Sequence, residues 1–239
     1  MVWAGRHRLA SSVSDTTTEL STLPPPAHGS DDRPLLLIGT TSAGKIREFR
    51  HLLAGLPARL VTPADLGLDM DVEEGDRSFQ ENAALKARAY HAATGLLTLA
   101  EDSGFVVDAL NGEPGVVSAR WGGTDDYAVK NRLIIDRLRD IHSGQRTCSY
   151  VSHIAILGPS GKLYRRSGSC RGYVAEAPRG TNGFGYDPIF FVPTADKTMA
   201  ELSTAEKDRL SHRGRAVGHA LPLLADLLRD APTTPTLAR

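Results

Sequence analysis

Residues 96–123 read LLTLAEDSGFVVDALNGEPGVVSARWGG, and the apolar run that opens them stops on two adjacent carboxylates. Residues 96–100 have the length and character of a buried strand. Glu101 and Asp102 follow, then Ser103 and Gly104, then a second apolar strand over residues 105–110, which Asn111-Gly112 turns back. Carboxylates at the end of a buried strand are costly unless they reach solvent, face a cleft or meet a cation. Read alone, the pair is a strand end reaching solvent; the chain around it supplies the alternative.

At 239 residues the chain builds one large domain or two small ones. A hydrophobic share of 41% with 23% charged residues is that of a soluble globular protein. No apolar run approaches the roughly 20 residues that span a bilayer, so no membrane partner is expected. Basic and acidic residues balance at 28 each, which leaves no overall field to attract a nucleic-acid backbone. Two cysteines, Cys148 and Cys170, make neither a disulfide scaffold nor a zinc site. They flank the turn Gly158-Pro159-Ser160-Gly161 across an expected hairpin and read as reduced packing residues. Residues 1–33 lack apolar periodicity and contain Pro24-Pro25-Pro26, so they read as a disordered extension. The folded domain is expected over residues 34–230, with a frayed tail over 231–239.

That domain opens on a short buried strand, residues 35–38, followed by Gly39-Thr40-Thr41-Ser42-Ala43-Gly44-Lys45 and a helix. A polar loop leading into a helix start with a lysine is an anion-binding arrangement, since outward N–H groups and the helix dipole both favour negative charge. The loop matches seven positions of a Walker A motif, but Ile46 stands where a Ser or Thr should hold magnesium. Ser78 and Glu81 have capping-box spacing for a helix that Gly95 ends near Thr94. Glu73 and Glu74 precede that cap on a loop. Thr124 is expected to cap a helix carrying Tyr127, Ile134, Leu138 and Ile141. Residues 147–157 and 162–171 read as a hairpin. Residues 180–188 form a glycine-rich loop around Phe184 and Tyr186, either covering a flat ring or closing a core. A second capping box, Ser203 to Glu206, opens a helix with Lys207. Residues 211–215, Ser-His-Arg-Gly-Arg, follow and read as a cationic helix C-terminus before a last amphipathic helix.

Taken in order, these segments resemble the inosine triphosphate pyrophosphatase family. The carrying residues are Thr40 to Lys45 with Glu48, Glu73-Glu74, residues 79–82, residues 101–104, Pro114-Gly115 with Ser118-Ala119-Arg120, residues 183–188, and Glu206-Lys207 with residues 211–214. The likeness runs from about Leu35 to Asp230. The first loop departs from the family pattern, reading Thr40-Thr41-Ser42 where Thr-Gly-Asn is usual, and Glu101 stands where bacterial members often have Asp.

The resemblance implies an α/β fold, elongated and two-lobed, with a central mixed β-sheet flanked by helices and a substrate cleft between the lobes. It implies a cytoplasmic homodimer that hydrolyses the non-standard purine nucleoside triphosphates ITP, dITP and XTP to the monophosphate and pyrophosphate with magnesium (Mg2+). Asp102 would be the general base, and Glu73 with Asp102 would hold the metal, with Glu74 and Glu101 as their nearest substitutes. Thr40, Thr41, Ser42, Ala43, Gly44, Lys45 and Ser103 would hold phosphates. Phe184, Gly185, Tyr186, Asp187, Lys207, His212 and Arg213 would line the base pocket, with Lys207 and Arg213 reading the 6-oxo group. Two other classes compete: a P-loop ATPase or kinase, which would release phosphate, and a non-catalytic nucleotide-binding module. The acidic set Glu73, Glu101 and Asp102 weighs against the second, because a mere polyanion binder gains by losing those charges.

Overall fold

The computed structural model describes residues 32–70, 72–76 and 78–236. The expected N-terminal extension lies outside them except for its last two residues. Leu35, Leu36, Leu37 and Ile38 are all completely buried, which requires a strand covered on both faces. That strand, β1 (Leu35–Gly39), lies between β2 (Arg59–Val61) and β3 (Leu97–Val107), parallel to both. Beyond β3 the sheet turns antiparallel through β4 (Thr147–Leu157), β5 (Leu163–Val174), β6 (Phe190–Val192) and β7 (Lys197–Thr198). The result is one open, mixed, seven-stranded sheet in the order β2-β1-β3-β4-β5-β6-β7. This is the α/β class expected.

Helices α1 (Ala43–Leu52) and α5 (His212–Leu227) cover one face. Phe49 and Leu53 join Val217 and Leu224 over Leu36, Ile38, Leu97 and Leu99. Helix α2 (Phe79–Thr94) covers the other, with Ala83 and Ala87 packed on Ala100 and Ala155. Ser78 caps α2 and Gly95 ends it in the left-handed conformation, both as the pattern predicts. A second large cluster surrounds Phe105, Tyr150 and Phe190 under α3 (Tyr127–Arg137). The cap of α3 is Asp126, whose carboxylate accepts the Ala128 N–H. Thr124, the expected cap, instead accepts from Asp126. A short helix α4 (Thr204–Leu210), opened by the Ser203–Glu206 capping box, precedes α5.

Strand β3 departs most from expectation. It is one strand of 11 residues running straight through the acidic pair, not two strands with a break. Glu101 pairs with Ile154 and Asp102 with His153 on β4, and both carboxyl residues are buried. Successive strand side chains point to opposite faces. Glu101 follows Leu97 and Leu99 toward α1 and α5, and Asp102 follows Ala100 toward α2.

The tail also departs from expectation. The Leu35 N–H donates to the Pro232 carbonyl at 2.9 Å, and the Thr236 N–H donates to the Thr94 carbonyl at 2.8 Å. Residues 232–236 are thus bonded to the start of β1 and the end of α2 where fraying was expected. Cys148 and Cys170 are free and buried, set diagonally across the β4–β5 pair. Among the described residues no helix is long and apolar enough to cross a membrane.

Candidate active site

The loop after β1 leads into α1 by side-chain capping. Thr40 Oγ1 accepts the Ser42 N–H at 3.2 Å, and Ser42 Oγ accepts the Lys45 N–H at 3.5 Å. Thr40, Thr41, Ser42 and Lys45 line a cleft of about 290 Å³, toward the small end of ligand pockets. Ala43 and Gly44, also expected to hold phosphate, are not part of its lining. Gly44 does something different: a Cβ there would lie 2.7 Å from the Phe184 ring, so glycine lets that distant loop rest against the first turn of α1.

Asp102 lines the same cleft from the α2 side. Its Oδ2 accepts Asn82 Nδ2 at 3.0 Å; its Oδ1 accepts the Ser103 N–H at 3.1 Å and lies 3.4 Å from Lys86 Nζ. Burial raises the Asp102 carboxyl above its ordinary value, with Lys86 and Lys45 pulling against it. Glu74 Oε1 lies 2.7 Å from the same Lys86 Nζ. Two carboxylates from different segments therefore converge on one cationic position. Glu73, expected as the metal ligand, is exposed and lies outside the cleft lining, while its neighbour Glu74 lines it. A loop without periodicity gives the sequence no means of choosing between them.

Glu101 belongs to another cluster on the opposite face of β3. The Arg213 guanidinium grips it through Nε at 3.0 Å and Nη2 at 2.9 Å, and the Ser152 hydroxyl donates to it at 2.6 Å. Lys45 Nζ lies 3.4 Å away. Burial would raise the Glu101 carboxyl, but Arg213 and Lys45 outweigh it and hold the group well below the carboxylate range. Arg213 also bonds Glu48 and, at 3.1 Å, the Ser103 hydroxyl. Glu48 in turn meets Lys207 at 2.7 Å, and Lys207 meets Asp187 at 2.5 Å. Burial would lower the Lys207 ammonium, yet Asp187 and Glu48 together raise it. Opposite charges thus alternate from Asp187 through Lys207, Glu48, Arg213 and Glu101 to Lys45.

One end of the cleft is aromatic. Phe184, Gly185, Tyr186 and Asp187 line it with Lys207, His212 and Arg213, as expected. The Phe184 N–H donates to Asp187 at 2.8 Å, which closes the loop on itself. Lys207 Nζ lies 5.4 Å and the Arg213 guanidinium 5.6 Å from the Phe184 ring centroid. His212 and Arg213 open α5 and do not end α4: Ser211 is the cap between them, accepting the Gly214 N–H at 3.0 Å. A buried cation at a helix start is opposed by the dipole, so Arg213 is held there by its carboxylates. His212 stacks on Tyr150 at 4.5 Å with an interplanar angle of 17°, and its Nδ1 is buried without a hydrogen-bond partner. Burial, helped by Arg213, lowers the His212 imidazole to about 3.

Sequence reasoning assigned no role to Glu48, Asn82, Lys86 or Tyr150. Asn82 and Lys86 stand four residues apart on α2, so they share a face. That spacing was visible, but the face opposite it was unknown until Asp102 was placed mid-strand.

The donor set suits a divalent cation. Among the described residues no group of three or more acidic, His or Cys side chains is placed to hold a metal ion. Glu74 and Asp102, which both face the Lys86 ammonium, are two carboxylates that could serve magnesium, which is held by one or two carboxylates with substrate phosphates and water completing its shell.

Known proteins are similar to this chain along most of its length. Residues 36–222 match the model of the Ham1 family. A dITP/XTP pyrophosphatase of Symbiobacterium thermophilum is 49% identical over 199 residues, covering 82% of this chain and 97% of that protein. One from Thermus thermophilus is 44% identical, covering 82% and 93%. Among solved structures, the Ham1 protein of Staphylococcus aureus superposes with a TM-score of 0.71 at 36% identity, covering 80% of this chain and 98% of that one. The dITP/XTP pyrophosphatase of Mycobacterium abscessus does so at 0.63 with 42% identity, covering 79% and 99%.

Proposed function

We infer the function from one premise: the chain belongs to the Ham1 family. It is a nucleoside-triphosphate pyrophosphatase that hydrolyses non-standard purine nucleoside triphosphates (ITP, dITP, XTP) to the monophosphate and pyrophosphate. One observation carries the reading: a single cleft joins an anion-binding helix start with Lys45, a convergent acidic pair and an aromatic end. The P-loop alternative lacks its magnesium-holding hydroxyl at Ile46, and its γ-phosphate chemistry needs no aromatic end.

The enzyme needs a divalent metal, and the metal proposed is magnesium, held by Glu74 and Asp102. When bound, such a cation neutralises phosphate charge and makes a nearby water more acidic. The start of α1 and Lys45 bind the phosphates. Lys45 is lowered by burial, only partly restored by Glu101, and bringing phosphate charge to it favours its protonated form. Asp102 accepts a proton from the attacking water, whose acidity the bound cation would raise.

At the base end the cations are already engaged. Arg213 gives four of its five N–H groups to Glu101, Glu48 and Ser103, and Lys207 gives two of three to Asp187 and Glu48. Each keeps one N–H, fixed in direction, for a 6-oxo group. An adenine amine would face those donors unpaired, at about 1–3 kcal/mol each. Phe184 covers the ring. The cytoplasm is the proposed place of action, and a homodimer the proposed assembly, as the family resemblance implies.

The test is pyrophosphate release from dITP and XTP with magnesium, for the native chain and Asp102→Asn. The substitution keeps shape and removes basicity, so turnover should fall by ~10²–10⁴-fold without loss of fold. Near-normal turnover by a folded Asp102→Asn enzyme, or release of phosphate in place of pyrophosphate, overturns the assignment. Sedimentation velocity of the same preparation, giving a single-chain mass, would remove the dimer.

A further inference from the structure

We propose that Asn82 is a positioning residue that locks the loop carrying Glu74 to Asp102, so that the two carboxylates face one cation. The inference rests on the reading of Glu74 and Asp102 as the metal-holding pair.

Residues 72–76 have no regular secondary structure, so no ladder of main-chain bonds fixes where Glu74 stands. What fixes it is a side chain. Asn82 is buried, and its amide makes a two-point bond with a single residue of that loop. Oδ1 accepts the Gly75 N–H at 3.0 Å, and Nδ2 donates to the Gly75 carbonyl at 2.9 Å. The second hydrogen of Nδ2 goes to Asp102 Oδ2 at 3.0 Å. Both donors and one acceptor position of the amide are thereby used, and they tie together two segments that meet only across α2. Glu74 is the residue next to the tied peptide, and its Oε1 reaches Lys86, one turn further along α2.

An amide alone does all of this. A carboxylate at position 82 would lose both donations and repel Asp102, and an aliphatic residue would release both of its bonds to the Gly75 peptide. From outside, the exposed Arg120 gives one further bond to the Gly75 carbonyl, at 3.3 Å. Partners that orient metal ligands in this way typically govern metal affinity by 10–100-fold.

The experiment uses nucleotide-free protein and reads Mn2+ binding by loss of the free-ion EPR signal, alongside amide exchange over residues 72–78 and the metal-free melting temperature. Asn82→Ala should raise the Mn2+ dissociation constant by ~10–100-fold and speed exchange in that segment. Its metal-free melting should stay close to that of the native chain. Should Asn82→Ala not fold, Asn82→Ser carries the same measurement with the same expectation. Arg120→Ala, which removes only the outer bond, should weaken Mn2+ by several-fold. Native-like Mn2+ affinity in a folded position-82 variant overturns the role of Asn82 and leaves the metal reading standing. A native chain that binds no Mn2+, or binds it equally after Glu74→Gln, overturns the metal reading and this inference with it.

Discussion

His212 is held neutral in a place where a charge would be ruinous: fully packed, flat on Tyr150, beside the Arg213 guanidinium. In the folded protein it takes a proton only at about 3, whereas in the unfolded chain it does so near the ordinary 6.5. The unfolded state therefore gains its proton first as pH falls, and stability drops from about pH 6.5 downward. The loss is about 1.4 kcal/mol per pH unit, until the folded imidazole also titrates. His212→Phe keeps a ring on Tyr150 and cannot titrate, so its denaturation midpoint should fall less steeply between pH 6.5 and 4.5 than that of the native chain. Parallel pH profiles would mean that other groups carry the acid sensitivity. Single residues differ in how plainly the sequence announced them. Asp102 and Lys45 were legible because each follows an apolar run in the sequence, Lys45 at a true helix start and Asp102 at a break that exists only in the pattern. Arg213 was legible as a cleft residue but not as one already engaged by Glu101 and Glu48, because its partners lie far away in the chain. Lys86 was invisible, since a lysine within an amphipathic helix has a solvated face as its ordinary explanation.

Strand β3 shows what a pattern read locally misses. The polar run from Glu101 to Gly104 looks like a break because unpaired carboxylates cannot be buried, and the cations that pair them arrive on α2, α1 and α5. Continuity of the strand is what sends two adjacent acids to opposite faces, one to pair with Lys86 beside Glu74 and one to the buried ion chain. Gly104 keeps that strand close to the loop beside it. A Cβ there would lie 2.5 Å from the Gly115 carbonyl oxygen, 2.6 Å from Phe79 and 2.7 Å from the Ser118 hydroxyl, which itself bonds the Phe105 N–H at 2.9 Å. The carbonyl is main chain and cannot swing aside. Gly104→Ala should cost ~1–3 kcal/mol by urea denaturation, the scale of overpacking in a filled core. It should also impair turnover, because β3 carries Asp102 two residues away. An alanine variant with native midpoint and native turnover would show that the neighbouring loop yields freely. The helices were read more accurately than this strand, since Ser78, Gly95 and the Ser203–Glu206 box carry their own local chemistry.

At the scale of the whole molecule, long-range bonds draw distant parts of the chain together. The alternating ion chain joins α1, β3, α4, α5 and the 183–188 loop, so the two ends of the cleft are parts of one electrostatic unit. The C-terminal segment closes the other side, with Pro232 accepting from Leu35 and Thr236 donating to Thr94. Nothing in its Pro- and Thr-rich composition announced those bonds, because they are made by main-chain atoms that every sequence possesses. A chain ending at Ala231 leaves the Leu35 N–H, on a wholly buried residue, without its acceptor. It should lose about 1–3 kcal/mol, read as a lower urea midpoint, while its cleft residues stay in place. A midpoint equal to that of the full chain would assign the tail no part in stability. On the ribosome the same geometry sets an order of completion. Strand β1 is synthesised before the other six, yet its leading amide waits for a carbonyl made only after the last of them. A message cut just short of Pro232 therefore yields a product with every cleft residue present and β1 still unsealed.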